Sequence, residues 1–248
     1  MPPRIAMPEP VSSRADYNQR ALPQYLQAVQ EAGGEVTIVP LGSPAEEAVR
    51  IMEQCDAVLL PGSPADVDPA KYEAARDYRT ASADAPREST DAALLRHAFE
   101  QRKPVLGICY GLQSLNVWRS GTLVQHIDSL VNHEAGRAVE RAHKIKVAPL
   151  SRLAAILNSA GATSSPMVSG GLVTEVNSSH HQAAAVVGEG LRAVATCTED
   201  DVIEAIEGTA PDHFVLAVQW HPERTTASEE SSRAIFRAFL QAAGQRHA

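Results

Sequence analysis

Aromatic residues make up only 4% of this 248-residue chain, although apolar residues together reach 44%. A core must therefore be built mostly from Val, Ile, Leu and Ala, and there is enough of them to build one. Cysteine is also scarce. Cys55, Cys109 and Cys197 are odd in number and widely spaced, with no paired motif. That argues against a disulfide framework or a cysteine zinc site and leads to the expectation of a reducing, cytoplasmic compartment. Runs of Lys or Arg are missing, and the net charge is −8. Nucleic acid is excluded as a partner on that ground, because phosphate binding needs clustered positive charge. No apolar stretch approaches the roughly 20 residues of a membrane span. Met1 to Val11 has prolines and a charge but no apolar core of a signal peptide. The length suits one α/β domain over residues 1–248.

What is present is alternation. Short apolar strands are expected at Ile5–Met7, Val36–Val39, Ala57–Leu60 and Val105–Ile108. Between them lie segments of helical periodicity at Asn18–Ala32, Pro44–Gln54, Glu88–Arg102 and Leu112–Trp118. Gly33-Gly34 supplies a stop signal for the first helix. Strand–helix alternation of this kind predicts a parallel sheet covered on both faces. The second half is strand-rich: Lys144–Val147, Leu172–Val176, Arg192–Thr196, Val202–Ile206 and Phe214–Val218, with few helices between. An antiparallel extension of the sheet is expected there, closed by a helix over Glu229–Ala243. Gly161–Gly171, rich in Ser, Gly and Thr, reads as a loop.

Gly107-Ile-Cys109-Tyr-Gly111 follows one of these strands and precedes a helix. That is the pattern of a nucleophile elbow, with cysteine in the place of serine. Glycine two residues to either side lets neighbouring backbone approach a nucleophile held in strained φ/ψ. The N–H groups and dipole of the following helix favour a thiolate and an oxyanion. Cys55 and Cys197 lack this setting and read as small buried apolar residues. An oxyanion hole needs a second donor from another loop at the same sheet edge. Pro61-Gly62-Ser63 follows a strand suitably, so Gly62 or Ser63, together with Tyr110, is the expected set of backbone donors; an ordinary turn is the other reading.

Nine histidines compete for the role of base. His221 stands at the mouth of an apolar strand, with Glu223 two residues on to orient the ring, which points to a Cys–His–Glu triad. His180 and His181 are adjacent but have no carboxylate or cysteine at ligand spacing, so no metal is expected there. They line the pocket or serve as structural hydrogen-bonders. Activity should need Cys109 as thiolate with charged His221, or one proton shared between them.

At these residues the chain resembles the class I glutamine amidotransferase superfamily, and within it the γ-glutamyl hydrolase branch, peptidase family C26. The matching segments are Leu60–Pro69, Gly107–Asn116, Gly121–Ile127, Val176–Gln182, Val202–Glu207 and Val218–Glu223, in family order. The resemblance implies a flavodoxin-like, mostly parallel central sheet flanked by helices, with an antiparallel extension. It implies attack by Cys109 on a γ-glutamyl amide, a glutamyl-thioester, and release of an amine and then glutamate, with no cofactor. It also places Gln113 and His143 among substrate contacts, although a helix-surface role for Gln113 and a plain strand role for His143 stay open. A homodimer is suggested by the same resemblance. Tyr110 differs from the Arg, Leu or His of many relatives, and Trp118-Arg-Ser-Gly121 from their small residues. Three functions are consistent with the pattern: a stand-alone γ-glutamyl amide hydrolase acting on a small molecule, an ammonia-donating glutaminase of a two-protein synthetase, and a non-catalytic binding module. The hydrolase is preferred because nothing in the chain would use released ammonia.

Overall fold

A computed structural model describes residues 1–161 and 171–245. Most of the expected Gly161–Gly171 loop lies outside the described residues. In chain order the elements are β1 (Arg4–Pro8), α1 (Ala15–Glu31), β2 (Glu35–Val39), α2 (Ala45–Glu53), β3 (Ala57–Leu60), α3 (Ala85–Glu100), β4 (Val105–Ile108) and α4 (Tyr110–Trp118). There follow β5 (Leu123–Val124), β6 (His143–Val147), α5 (Arg152–Ser159), β7 (Leu172–Val176), β8 (Ala183–Ala184), β9 (Leu191–Cys197), β10 (Ile203–Gly208), β11 (Val215–Val218) and α6 (Glu230–Gly244). No helix among the described residues is long and apolar enough to cross a membrane.

Nine strands form one sheet in the order β2-β1-β3-β4-β11-β10-β9-β6-β7. The five from β2 to β11 are parallel, and β10, β9, β6 and β7 continue the sheet antiparallel. This is the expected α/β architecture with its antiparallel extension. Alternate strand residues face opposite sides. Ile5, Met7, Leu59 and Leu106 join α1, α5 and α6 in one core. Ala6, Val58, Leu60 and Val105 join α2, α3 and α4 in the other. Both cores are predominantly aliphatic, as the composition requires. In α4 every residue from Tyr110 to Val117 is buried, so this helix is internal rather than amphipathic.

The differences from expectation have local causes. α3 begins at Ala85 because the Asp84 side chain accepts from the Arg87 N–H and caps the helix. The unexpected α5 is capped by Ser151, whose hydroxyl accepts from the Ala154 N–H; eight residues between strands carry too little periodicity to stand out. β5 and β8 are two-residue strands that pair only with each other.

Candidate active site

Chain reversal at β4 places the elbow. Cys109 has φ 53° and ψ −105°, a left-handed region that costs a residue with a Cβ on the order of 1–3 kcal/mol. Its own N–H donates to the Val218 carbonyl of β11, which fixes the bend. The flanking glycines are needed for close approach. A Cβ on Gly111 would stand 2.2 Å from the Leu60 carbonyl oxygen, and one on Gly107 would stand 2.9 Å from Ala217 Cβ.

β4 lies between β3 and β11, with Leu60 opposite Gly107 and Val218 opposite Ile108. All three strands run the same way, so the loops that leave β3 and β11 flank Cys109. Gly62 marks the meeting point: a Cβ there would lie 2.9 Å from His221 Cε1 and 3.6 Å from Cys109 Cβ. Any side chain at position 62 would fill the space between sulfur and imidazole. His221 Nδ1 is 2.7 Å from Glu223 Oε1, which leaves the other ring nitrogen for the thiol side. Asn177 holds the histidine by its backbone, accepting from its N–H at 2.9 Å and donating to its carbonyl at 2.8 Å. No periodicity marks Asn177; its only signal is its place in the Val176–Gln182 segment.

Electrostatics favour a neutral pair. Burial pushes the Cys109 thiol up to about 12, with Arg224 opposing. Burial also pushes the His221 imidazole down against the pull of Glu223. Glu223 stays below the usual carboxylate range despite its burial, because His221 stands beside it. Both shifts favour the thiol and the neutral imidazole at rest, where the sequence left a thiolate–imidazolium pair and a shared proton open.

The expected oxyanion donors are placed differently. The Gly62 N–H donates to the Tyr25 hydroxyl at 3.0 Å, so it is already engaged. The Ser63 N–H has no acceptor among the described residues. The Tyr110 amide hydrogen-bonds the Cys109 sulfur. Of the expected donors, the Ser63 amide is free and the Tyr110 amide lies on the sulfur. The Tyr110 ring is buried with Val67, Tyr72, Val117 and Leu123, and the Arg87 guanidinium lies 4.8 Å over it.

Of the four expected substrate contacts, three are buried. Gln113 Nε2 donates to the Gln182 carbonyl at 3.1 Å and to Gln219 Oε1 at 3.3 Å, tying α4 to the segment that follows β11 rather than facing solvent. His143 Nε2 lies 3.0 Å from Glu204 Oε1, and His180 Nε2 lies 3.5 Å from the same oxygen. Burial pushes the Glu204 carboxyl up, but His180, His133 and His143 outweigh it and hold it well below the usual range. His181 alone is partly open. It is 3.1 Å from Asp66 through Nε2 and 3.2 Å from His126 through Nδ1, on a cleft that also reaches His133 and His180. Glu204, His133 and Arg224 were not foreseen as site neighbours.

The profile of the Peptidase C26 family matches residues 6–223. The chain is 36% identical to Rv2859c of Mycobacterium tuberculosis, whose name assigns it provisionally to the glutamine amidotransferases, over 88% of this chain and 66% of that protein. It is 33% identical to gamma-glutamyl-gamma-aminobutyrate hydrolase PuuD of Escherichia coli, over 88% of this chain and 84% of the relative. Among solved structures, a protein from Thermoplasma acidophilum described as part of a GMP synthase superposes with a TM-score of 0.64 at 14% identity. The match covers 100% of this chain and 96% of the other, and it speaks for the fold alone. Taken with the architecture, these matches show that the chain belongs to the peptidase C26 family and is a hydrolase of the glutamine amidotransferase-like kind.

Proposed function

We propose that the protein hydrolyses the γ-glutamyl amide bond of a small γ-glutamyl compound resembling γ-glutamyl-γ-aminobutyrate. The observation that carries this reading is the meeting of Cys109, His221 and Gly62 at the ends of three adjacent parallel strands. In the first step Cys109 Sγ bonds to the amide carbon while His221 takes the thiol proton. The amide N–H groups of Ser63 and Tyr110 stabilise the oxyanion. The C–N bond then breaks, and His221 returns the proton to the leaving amine. Water attacks the thioester with His221 again as base, the C–S bond breaks, and glutamate leaves with Cys109 restored as a thiol. Glu223 holds the ring and the positive charge it acquires. The reading also puts the protein in the cytoplasm, where a catalytic thiol stays reduced; all three cysteines are free.

Incubation with a panel of γ-glutamyl amines should release glutamate in a saturable manner, with each amine appearing in equal amount. Absence of glutamate from every member, in protein that folds, would overturn the proposal. Release that appears only after a synthetase is added would instead favour an ammonia-donating glutaminase.

The pH dependence follows from burial. Neutral His221 is the working base, and its pKa is held below the usual imidazole value of about 6.5. The rate kcat/KM should therefore rise with pH through an ionisation below that value and level off before neutrality. Glu223 raises the His221 pKa, so Glu223→Gln should move this limb to still lower pH and reduce the plateau. A profile governed by one ionisation near about 8.5, the free thiol value, and unmoved by either substitution would contradict the pairing.

A further inference from the structure

Behind the triad, three histidines from three segments converge on one carboxylate oxygen. Glu204 on β10 is fully buried, and neither of its oxygens has a hydrogen-bond partner. Around Oε1 stand His143 Nε2 at 3.0 Å, His133 Nδ1 at 3.4 Å and His180 Nε2 at 3.5 Å. These nitrogens are equally unpartnered: the distances are short, but the N–H directions do not point at the oxygen.

Two of the rings are held from outside. His133 Nε2 is 2.9 Å from Asp200 Oδ2, and His180 Nδ1 is 3.0 Å from the Gln182 carbonyl, while neither nitrogen of His143 has a hydrogen-bond partner. Buried carboxylate oxygens and ring nitrogens without partners are costly unless a ligand completes them. Imidazoles oriented by an outer carboxylate or carbonyl are the arrangement that surrounds bound metal ions. The spacing agrees as well. Ligands bonded at about 2.0–2.1 Å to a tetrahedral ion lie about 3.3 Å apart, against 3.0 and 3.4 Å from Glu204 Oε1 to His143 and His133. The ligand atoms of His133, His143 and Glu204 all fall within 4.8 Å of one another.

We propose that His133 Nδ1, His143 Nε2 and Glu204 bind a divalent transition-metal ion of the zinc class. Two imidazoles and one carboxylate match the nitrogen and oxygen preference of such ions rather than that of calcium or magnesium. The ion ties the loop bearing His133 to β6 and β10. β10 is hydrogen-bonded to β11, the strand that leads to His221. His133 and His180 also border the cleft that contains His126 and His181, which gives an ion its route in.

The test is Co2+ titration of the full-length apo-protein. The expected result is saturation at one equivalent, a new visible absorption band, and displacement by Zn2+. Glu204→Gln and His143→Ala should abolish the signal, while His181→Ala on the neighbouring cleft should keep it. Loss of the signal in His181→Ala together with its retention in Glu204→Gln would overturn the site. Should the buried variants not fold, ring 15N shifts of the wild-type histidines decide. Zn2+ should move the inner nitrogens of His133 and His143; rings that ignore Zn2+ would overturn the proposal.

Discussion

Replacement of Cys109 by alanine is expected to lower glutamate release by at least about 10⁴-fold, the scale on which enzymes lose rate when a covalent nucleophile is removed. The sulfur forms the bond on which both half-reactions depend, and no other free thiol can stand in, since Cys55 and Cys197 lie elsewhere in the buried interior. Stability should hardly change. The strain at φ 53° belongs to the backbone of the elbow and is the same for alanine as for cysteine. Cys109→Gly separates the two effects: it should be equally inactive but more stable than Cys109→Ala by about 1 kcal/mol, because glycine accepts that φ freely. Steady-state release and urea denaturation of the same preparations check both parts. Activity of the alanine variant within about tenfold of wild type would remove Cys109 from the reaction.

The largest stability effect is expected at Arg87, a residue no catalytic argument singles out. Its guanidinium is fully buried on α3 and 2.7 Å from Asp91 Oδ1. It also donates to the carbonyls of Pro10 and Pro61, each at 2.7 Å. Pro61 immediately precedes Gly62, so Arg87 anchors the loop that separates Cys109 from His221. Arg87→Met takes from buried Asp91 the partner that opposes the upward push of burial on its carboxyl, and leaves two carbonyls without that donor. Removing one partner of a buried pair costs about 3–5 kcal/mol, which for a chain of this size lowers Tm by about 10 °C. The double variant Arg87→Met/Asp91→Leu should recover much of that loss, because the orphaned buried carboxyl goes too, while kcat stays depressed by the freed Pro61–Ser63 loop. Thermal melts and kcat on the three proteins distinguish the two contributions. A single variant within about 1 kcal/mol of wild type would show that the pair does not hold the loop.

Several features were legible because their signals are local. The elbow occupies five residues, Gly107 to Gly111, and the constraint that forces glycine at both ends acts across one bend. The His221-Pro222-Glu223 turn likewise carries base and orienting carboxylate in three residues, and the hydrogen bond between them is 2.7 Å. The parallel half of the sheet followed from alternating apolar strands and helices. α5 was missed although Ser151 announces it, because its eight residues hold barely two turns.

The sequence alone determined which residues carry reactive chemistry, since a strained turn, its glycines and a histidine with a nearby carboxylate are all encoded within a few positions. Only the tertiary structure decided which distant groups face one another. Strand order brings β11 beside β4 and β10 beside β11, and from that order alone come the approach of His221 to Cys109 and the burial of Glu204 among three histidines. It also gave the Gly62 N–H to Tyr25 and the Pro61 carbonyl to Arg87. Local propensity is a property of neighbours along the chain, whereas these contacts arise from how whole strands pack side by side, which no short window of residues expresses.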